Sequence, residues 1–120
     1  YLTVNMAHWG RHGFGLWVLR TQTGEFAGRA GIRHVVVDDQ AEVEIAYTFR
    51  RALWGQGLAS EITRALTRIG LQQFRLRSLV GIVSVENAAS RRVLAKSGFI
   101  LEKSTTFHDA AVVVYRSPST

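Results

Sequence analysis

Apolar and polar positions along the chain alternate first with a period of two and later with a helical period. Phe14 to Thr21 alternates weakly and is rich in β-formers, and Thr23-Gly24 then turns the chain. Glu25 to Val37 predicts a second strand, interrupted by Gly28 and Gly31, which indicate a bulge or a close backbone approach. Asp38-Asp39-Gln40 is a polar turn that makes a second hairpin, and Ala41 to Phe49 alternates as a third strand. Ser60 to Phe74 carries Ile62, Ala65, Leu66, Ile69 and Leu71 at mostly helical spacing, with Arg64, Arg68 and Gln72 outward. Leu79 to Val85 is nearly continuous in apolar residues, as a strand buried on both faces requires. Asn87 is a suitable N-cap for a helix over Ala88 to Ser97 that Gly98 ends. Phe99 to Thr106 and Ala110 to Arg116 predict two final strands, and Tyr1 to Gly10 reads as the end of a helix closed by Gly10 and Gly13. The order β-β-β-α-β-α-β-β makes an α/β fold with a mixed sheet, one domain over residues 1–120 without repeat or linker.

Composition narrows the class. With 120 residues and 47% apolar content there is material for one core. No apolar run approaches the ~20 residues needed to span a bilayer. Tyr1 to Asn5 shows no basic region followed by an apolar segment, so no signal peptide is visible there. The chain has no cysteine, which excludes disulfides, thiolate metal sites and cysteine nucleophiles and fits a cytoplasmic location. The net charge of +6 is carried almost wholly by scattered arginines and would attract polyphosphates or acidic partners. No basic tract is interleaved with base-stacking aromatics, so a nucleic-acid-binding domain ranks third among the readings.

The candidate chemistry centres on Leu53-Trp54-Gly55-Gln56-Gly57-Leu58-Ala59, between the third strand and the first helix. A Gly-x-Gly turn at that place leaves successive backbone N–H groups pointing into one concavity, and the helix dipole adds partial positive charge. Such a site suits a phosphate or pyrophosphate; an ordinary strand-to-helix connection is the plain alternative. A dinucleotide-binding fold would need glycine where Ser60 stands, and a P-loop would need Gly-Lys-Ser/Thr. His8 and His12 have the i, i+4 spacing of a zinc pair, but Gly10 interrupts the helix between them and no third ligand is evident, so no metal is expected. Trp9, Trp17 and Trp54 read as core or cleft-wall residues.

Two spaced motifs and the element order resemble the GNAT acyltransferase superfamily. Its cofactor motif, Gln/Arg-x-x-Gly-x-Gly/Ala, is matched at Gly55 and Gly57, while Ala52 stands where Gln or Arg is usual. The second motif, Asn-x-x-Ala/Ser followed by Gly-Phe, is matched by Asn87, Ser90, Gly98 and Phe99. His8-Trp9, His12-Gly13-Phe14-Gly15-x-Trp17, Gly24-Glu25-Phe26-x-Gly28 and Trp54-Gly55-Gln56-Gly57 look like the Rim-type branch of ribosomal-protein N-terminal acetyltransferases and related small-amine acetyltransferases.

The resemblance implies an acetyl-CoA-dependent N-acetyltransferase that uses no metal. The pyrophosphate would rest on the N–H groups from Trp54 through Ala59, with Leu53 at the loop's entry, Gln56 adding a contact and Arg51 replacing the side chain missing at Ala52. Tyr47, Thr48 and Phe49 would supply a strand edge for the pantetheine, Asn87 would bond its amide, and Ser90 would lie near the thioester. The reaction is attack of an amine on that thioester, which requires loss of a proton to a base such as a carboxylate. Glu42 and Glu44 point to one face of their strand, and Glu44 matches the family position of a catalytic glutamate. Relatives place a proton-donating tyrosine where Leu94 stands, and Ser90, one turn earlier, is the substitute. The acceptor would be a protein or peptide α-amine or a small amine. A non-catalytic acyl-CoA-binding or sensing module on the same fold is the main alternative. Relatives also begin with a strand and two helices before the His-Trp segment. The strand Phe14 to Thr21 is therefore expected to be an uncovered edge, in a truncated form of a longer protein or in a homodimer.

Overall fold

The computed structural model describes residues 2–5, 16–21, 23–55 and 57–118. The strands are β1 (Leu2–Asn5), β2 (Leu16–Thr21), β3 (Phe26–Val37), β4 (Gln40–Phe49), β5 (Val80–Ser84), β6 (Ile100–Phe107) and β7 (Ala110–Arg116). Helical spacing builds α1 (Leu58–Arg68) and α2 (Ala88–Lys96). Among the described residues the strands form one sheet in the order β1-β2-β3-β4-β5-β7-β6, antiparallel except for the β4–β5 pair. This is the expected α/β architecture with one strand more.

Two hairpins turn on aspartates. Asp38 and Asp39 join β3 to β4, and His108 and Asp109 join β6 to β7, with positive φ at all four residues. That backbone matches the right-handed twist of the flanking strands, and aspartate tolerates it better than most residues. Gly28 confirms the expected close approach: a Cβ there would stand 2.1 Å from the Thr48 carbonyl oxygen. The register shift lies beside it, between Leu19 and Arg20 on β2.

The expected start is corrected. Leu2–Asn5 is a strand rather than a helix end, and it pairs with β2 from Leu2 opposite Thr21 to Asn5 opposite Val18. That pairing covers Val18 to Thr21 of β2, so the expected uncovered edge does not hold there, and the oligomer argument built on it loses its basis. Phe14, Gly15 and the segment holding His8, Arg11 and His12 lie outside the described residues. The first helix also changes character sooner than expected: its last turn, Ile69–Gln73, is π-helical. Gly70 there packs against the Leu79 side chain, leaving no room for a Cβ.

One sheet face carries the core. Trp17, Leu19, Ile32, Ile45, Phe49, Val113 and Tyr115 meet Ile62 and Leu66 of α1 and Leu94 of α2. Each fully buried apolar side chain of this kind is worth about 1.5–3 kcal/mol, far above a surface ion pair at about 0–1. The apolar face therefore fixes which side of the sheet the helices take. The other face holds a smaller cluster, Val37, Val80 and Val114, together with charged residues of β3, β4 and β7. No helix among the described residues is long and apolar enough to cross a membrane.

Candidate active site

The β4–β5 pairing has one register position, Glu44 opposite Val80. Beyond it the two parallel strands part, and a cavity opens on each side of the gap. On the helix side, a cavity of about 510 Å³ is lined by Tyr47, Thr48 and Phe49 of β4, the loop from Leu53 to Gly57, and the start of α1. Asn87 and Ser90 complete its wall from α2. On the opposite side, a cavity of about 280 Å³ is lined by Arg33, Glu44, Ala46 and Ser84. Tyr47, Asn87 and Ser90 line both and mark the passage between them.

The loop has the features of an anion cradle. Gly55 and Gly57 take φ of +81° and +77°, and a Cβ on either would meet open space. Gly57 is the N-cap of α1, and among the described residues no side chain caps the helix start. The first N–H groups of any helix lack intrahelical acceptors, and here Leu58, Ala59 and Ser60 of the first turn line the cavity. Trp54 is held over the loop by its indole Nε1–H, which donates to the Phe49 carbonyl at 3.0 Å. Leu53, Trp54, Gly55, Gly57, Leu58 and Ala59 thus stand together as expected. Gln56 lies outside the described residues. Arg51 does not line the cavity: its guanidinium lies 5.3 Å from the Trp54 ring centroid, so its cation–π stacking braces the wall from behind.

At the passage, Asn87 Oδ1 accepts the Ser90 backbone N–H at 3.1 Å, the cap that its position predicts. This use of the oxygen leaves the Nδ2 donor for a ligand. Tyr47 reaches across the gap from β4 to both helices. Burial raises its phenol above the ordinary tyrosine value, partly offset by hydrogen bonding with Thr63 and Ser90. The buried Thr63 donates its own hydroxyl hydrogen to the Ala59 carbonyl at 2.7 Å. Sequence reasoning gave Tyr47 only a backbone part; its hydroxyl was missed because the partners come from two helices that the strand pattern does not locate. Leu94 is buried, with its methyl groups against Gly81, so the usual tyrosine position belongs to the core here.

The two glutamates separate. Glu44 is 4% exposed and accepts from Arg33 Nε at 2.5 Å through Oε1, directly across the β3–β4 ladder. Its Oε2 has no protein donor among the described residues. Glu42 is bound at both oxygens by Arg116, at 3.0 and 2.7 Å, and Arg116 also grips Glu102 at 2.6 and 2.9 Å. These carboxylates raise the arginine well above its ordinary value, Glu102 first and Glu42 second. Glu42 lines neither cavity. Sequence reasoning also missed Arg92, Val93 and Lys96, which continue the cavity wall along α2. Their i+3, i+4 and i+7 spacing from Ala89, one face of a helix, was the available signal.

The family model for the acetyltransferase (GNAT) domain matches residues 2–100. The Bacillus subtilis (strain 168) protein YkkB is 32% identical over 109 residues, covering 90% of this chain and 63% of that protein. The crystal structure of an acetyltransferase from Agrobacterium tumefaciens str. C58 superposes with a TM-score of 0.76 at 28% identity, over 89% of this chain and 62% of that one. The ribosomal-protein-S5-alanine acetyltransferase from Vibrio fischeri shares the fold, with a TM-score of 0.76 at 12% identity over 88% of this chain and 62% of that one. This chain thus spans somewhat less than two thirds of the length of each. Glycine loop, strand gap and domain match agree, and the chain belongs to the GNAT acetyltransferase family.

Proposed function

We propose that the protein transfers the acetyl group of acetyl-CoA to a primary amine. The observation that carries this reading is a pair of cavities that share Tyr47, Asn87 and Ser90 in their walls, one reaching the α1 N-terminus and the other the Glu44 carboxylate. The residues present fit the co-substrate. The neutral N–H groups from Gly57 to Ser60 receive the pyrophosphate, the free edge of Tyr47 to Phe49 pairs with the pantetheine amides, and Asn87 Nδ2 donates to an amide carbonyl.

The amine enters from the Glu44 side. Glu44 Oε2 takes its proton, directly or through a water, as the nitrogen bonds to the thioester carbonyl carbon. Arg33 holds the carboxylate still through Oε1. The carbon–sulfur bond then breaks, and the Ser90 hydroxyl donates a proton to the leaving thiolate, with Tyr47 able to replace that proton. A primary amine of a protein, a peptide or a small molecule satisfies this geometry.

The test is thermal denaturation with and without CoA, followed by thiol release from acetyl-CoA with a panel of α-amines, lysine peptides, polyamines and aminoglycosides. At a ligand concentration of 100 times Kd the fold gains about 2.7 kcal/mol. In Gly57→Val the side chain projects into the phosphate cradle, and CoA no longer raises that variant's own Tm. A variant that CoA still stabilises overturns the loop assignment. Stabilisation without thiol release for any amine identifies a binding module instead of an enzyme.

A further inference from the structure

We infer that Arg33 selects the acceptor, and that the amine to be acetylated carries a carboxylate a few bonds from its nitrogen. The inference rests on the reading of the smaller cavity as the amine's side of an acetyltransferase site. Arg33 stands opposite Glu44 in the β3–β4 register, and both line that cavity. Among the described lining residues Arg33 is its one cation and Glu44 its one carboxylate.

The pair is made by one arm only. A guanidinium has five N–H donors, and Arg33 gives the one on Nε to Glu44 Oε1. Its Nη1 and Nη2 groups have no acceptor among the described residues, and the side chain is 68% exposed. Arg116 shows the opposite case: its Nε, Nη1 and Nη2 all donate, to Glu102, Glu42 and Ser78. Arg116 is saturated, whereas Arg33 keeps the planar Nη1–Nη2 fork that receives a carboxylate through two parallel bonds.

Charge during the reaction points the same way. When Glu44 takes the amine's proton its carboxylate becomes neutral, and Arg33 loses its one counter-charge in the described lining. A carboxylate already on the fork keeps the cation compensated through that step. A second ammonium on the acceptor finds no such reception. Glu42 and Glu102 are engaged by Arg116, Asp38 is engaged by Lys103, and none of these three lines the cavity. An ammonium beside Arg33 is repelled instead. The site therefore favours an amino acid, or a peptide whose first residue is acidic, over a polyamine.

The experiment measures thiol release from acetyl-CoA by the unmodified protein, Arg33→Gln and Arg33→Lys. The acceptors are leucine, leucinamide, isopentylamine, spermidine, and C-terminally amidated peptides beginning with aspartate or with alanine. Leucine's carboxylate makes its amine more basic than that of leucinamide, so unaided chemistry at neutral pH favours the amide. The unmodified protein works against that order, with kcat/KM about tenfold higher for the acid-bearing member of a pair, as one charge-assisted contact predicts. A lead of leucine over leucinamide identifies a free amino acid as the source of the carboxylate, and a lead of the aspartyl over the alanyl peptide identifies a peptide. Arg33→Gln keeps a donor for Glu44 but has neither charge nor fork, and it loses the preference. Any loosening of Glu44 lowers all acceptors alike and leaves the ratio within each pair untouched. Arg33→Lys restores part of the preference, and spermidine gains on isopentylamine in Arg33→Gln. Acid-bearing acceptors no better than their neutral counterparts in the unmodified protein overturn selection by Arg33 while leaving the acetyltransferase reading intact. A preference that survives in Arg33→Gln overturns it equally. An absence of thiol release with every acceptor refutes the acetyltransferase reading itself, and the selection falls with it.

Discussion

Replacing Glu44 by glutamine tests the proposed base with little disturbance of the fold. Glutamine keeps the shape and the Oε1 that accepts from Arg33, while Oε2 becomes an NH₂ that cannot take a proton. The ion pair lost is modest, because the Arg33 side chain is 68% exposed and its charge is screened. The stability cost is at most about 1 kcal/mol, a Tm shift of about 4 °C for a domain of this size. Loss of a general base costs ~10²–10⁴ in rate, which is about 2.7–5.4 kcal/mol in activation free energy. The kinetic effect therefore exceeds the structural one severalfold. The deficit also depends on the acceptor. At pH 7.5, roughly a third of an α-amine is already neutral but only about a thousandth of a lysine amine, from ordinary pKa values of ~7.7–8.0 and ~10.4. The base matters most where the proton remains, so lysine peptides lose more than α-amine peptides, and the gap closes as pH rises. The assay is thiol release across pH for both acceptor types, with CoA affinity measured separately. One deficit, equal for both acceptors and constant in pH, would refute the role of Glu44 in proton removal.

Other expectations follow from single residues. Ser90→Ala should lower kcat by ~10²–10⁴ at unchanged CoA affinity if its hydroxyl protonates the thiolate, whereas a merely capping Ser90 leaves kcat intact, because the cap uses its backbone N–H. Tyr47 has its folded-state value raised, so its contribution to stability is complete below about pH 10 and is lost as pH rises through that raised value. Denaturation of Tyr47→Phe should show less alkaline loss than the unmodified protein. Glu102 is held below its ordinary value chiefly by Arg116, so stability is lost as pH falls beneath the usual carboxylate range; Arg116→Gln should flatten that acid limb in denaturant titrations. Gly28→Ala should destabilise by about 1–3 kcal/mol or more, because its Cβ would collide with backbone rather than with a yielding side chain, and a normal Tm would contradict the strand spacing.

What could be seen in advance was local. The alternation that puts Glu42 and Glu44 on one face, the Asn87 cap and the two glycines at the start of α1 are all short-range patterns, and all reappear in the structure. β1 escaped notice because Leu2–Asn5 is too short to establish a period. The non-local pairings were also hidden. Arg33 meets Glu44 only because the β3–β4 register aligns them. Glu42 is removed from candidacy by Arg116, far along the chain on β7. Arg51 seemed suited to phosphate by charge and proximity, yet the indole of Trp54 claims its guanidinium. Leu94 at a polar family position becomes intelligible from Gly81, whose missing side chain makes the space that Leu94 fills.

The single rung between Glu44 and Val80 has a mechanical consequence. The sheet behaves as two panels, β1–β4 and β5–β7–β6, hinged at that rung. Below the hinge, Arg116 ties Glu42 on one panel to Glu102 on the other, and Asp38 reaches Lys103 at 2.9 Å. Above it, the facing strand edges have no partner in each other. A bound pantetheine would act there as an additional strand, mortar between the panels. Amide exchange should therefore be fast along the Tyr47–Phe49 edge without ligand and slow with it, while the tied end stays protected in both states.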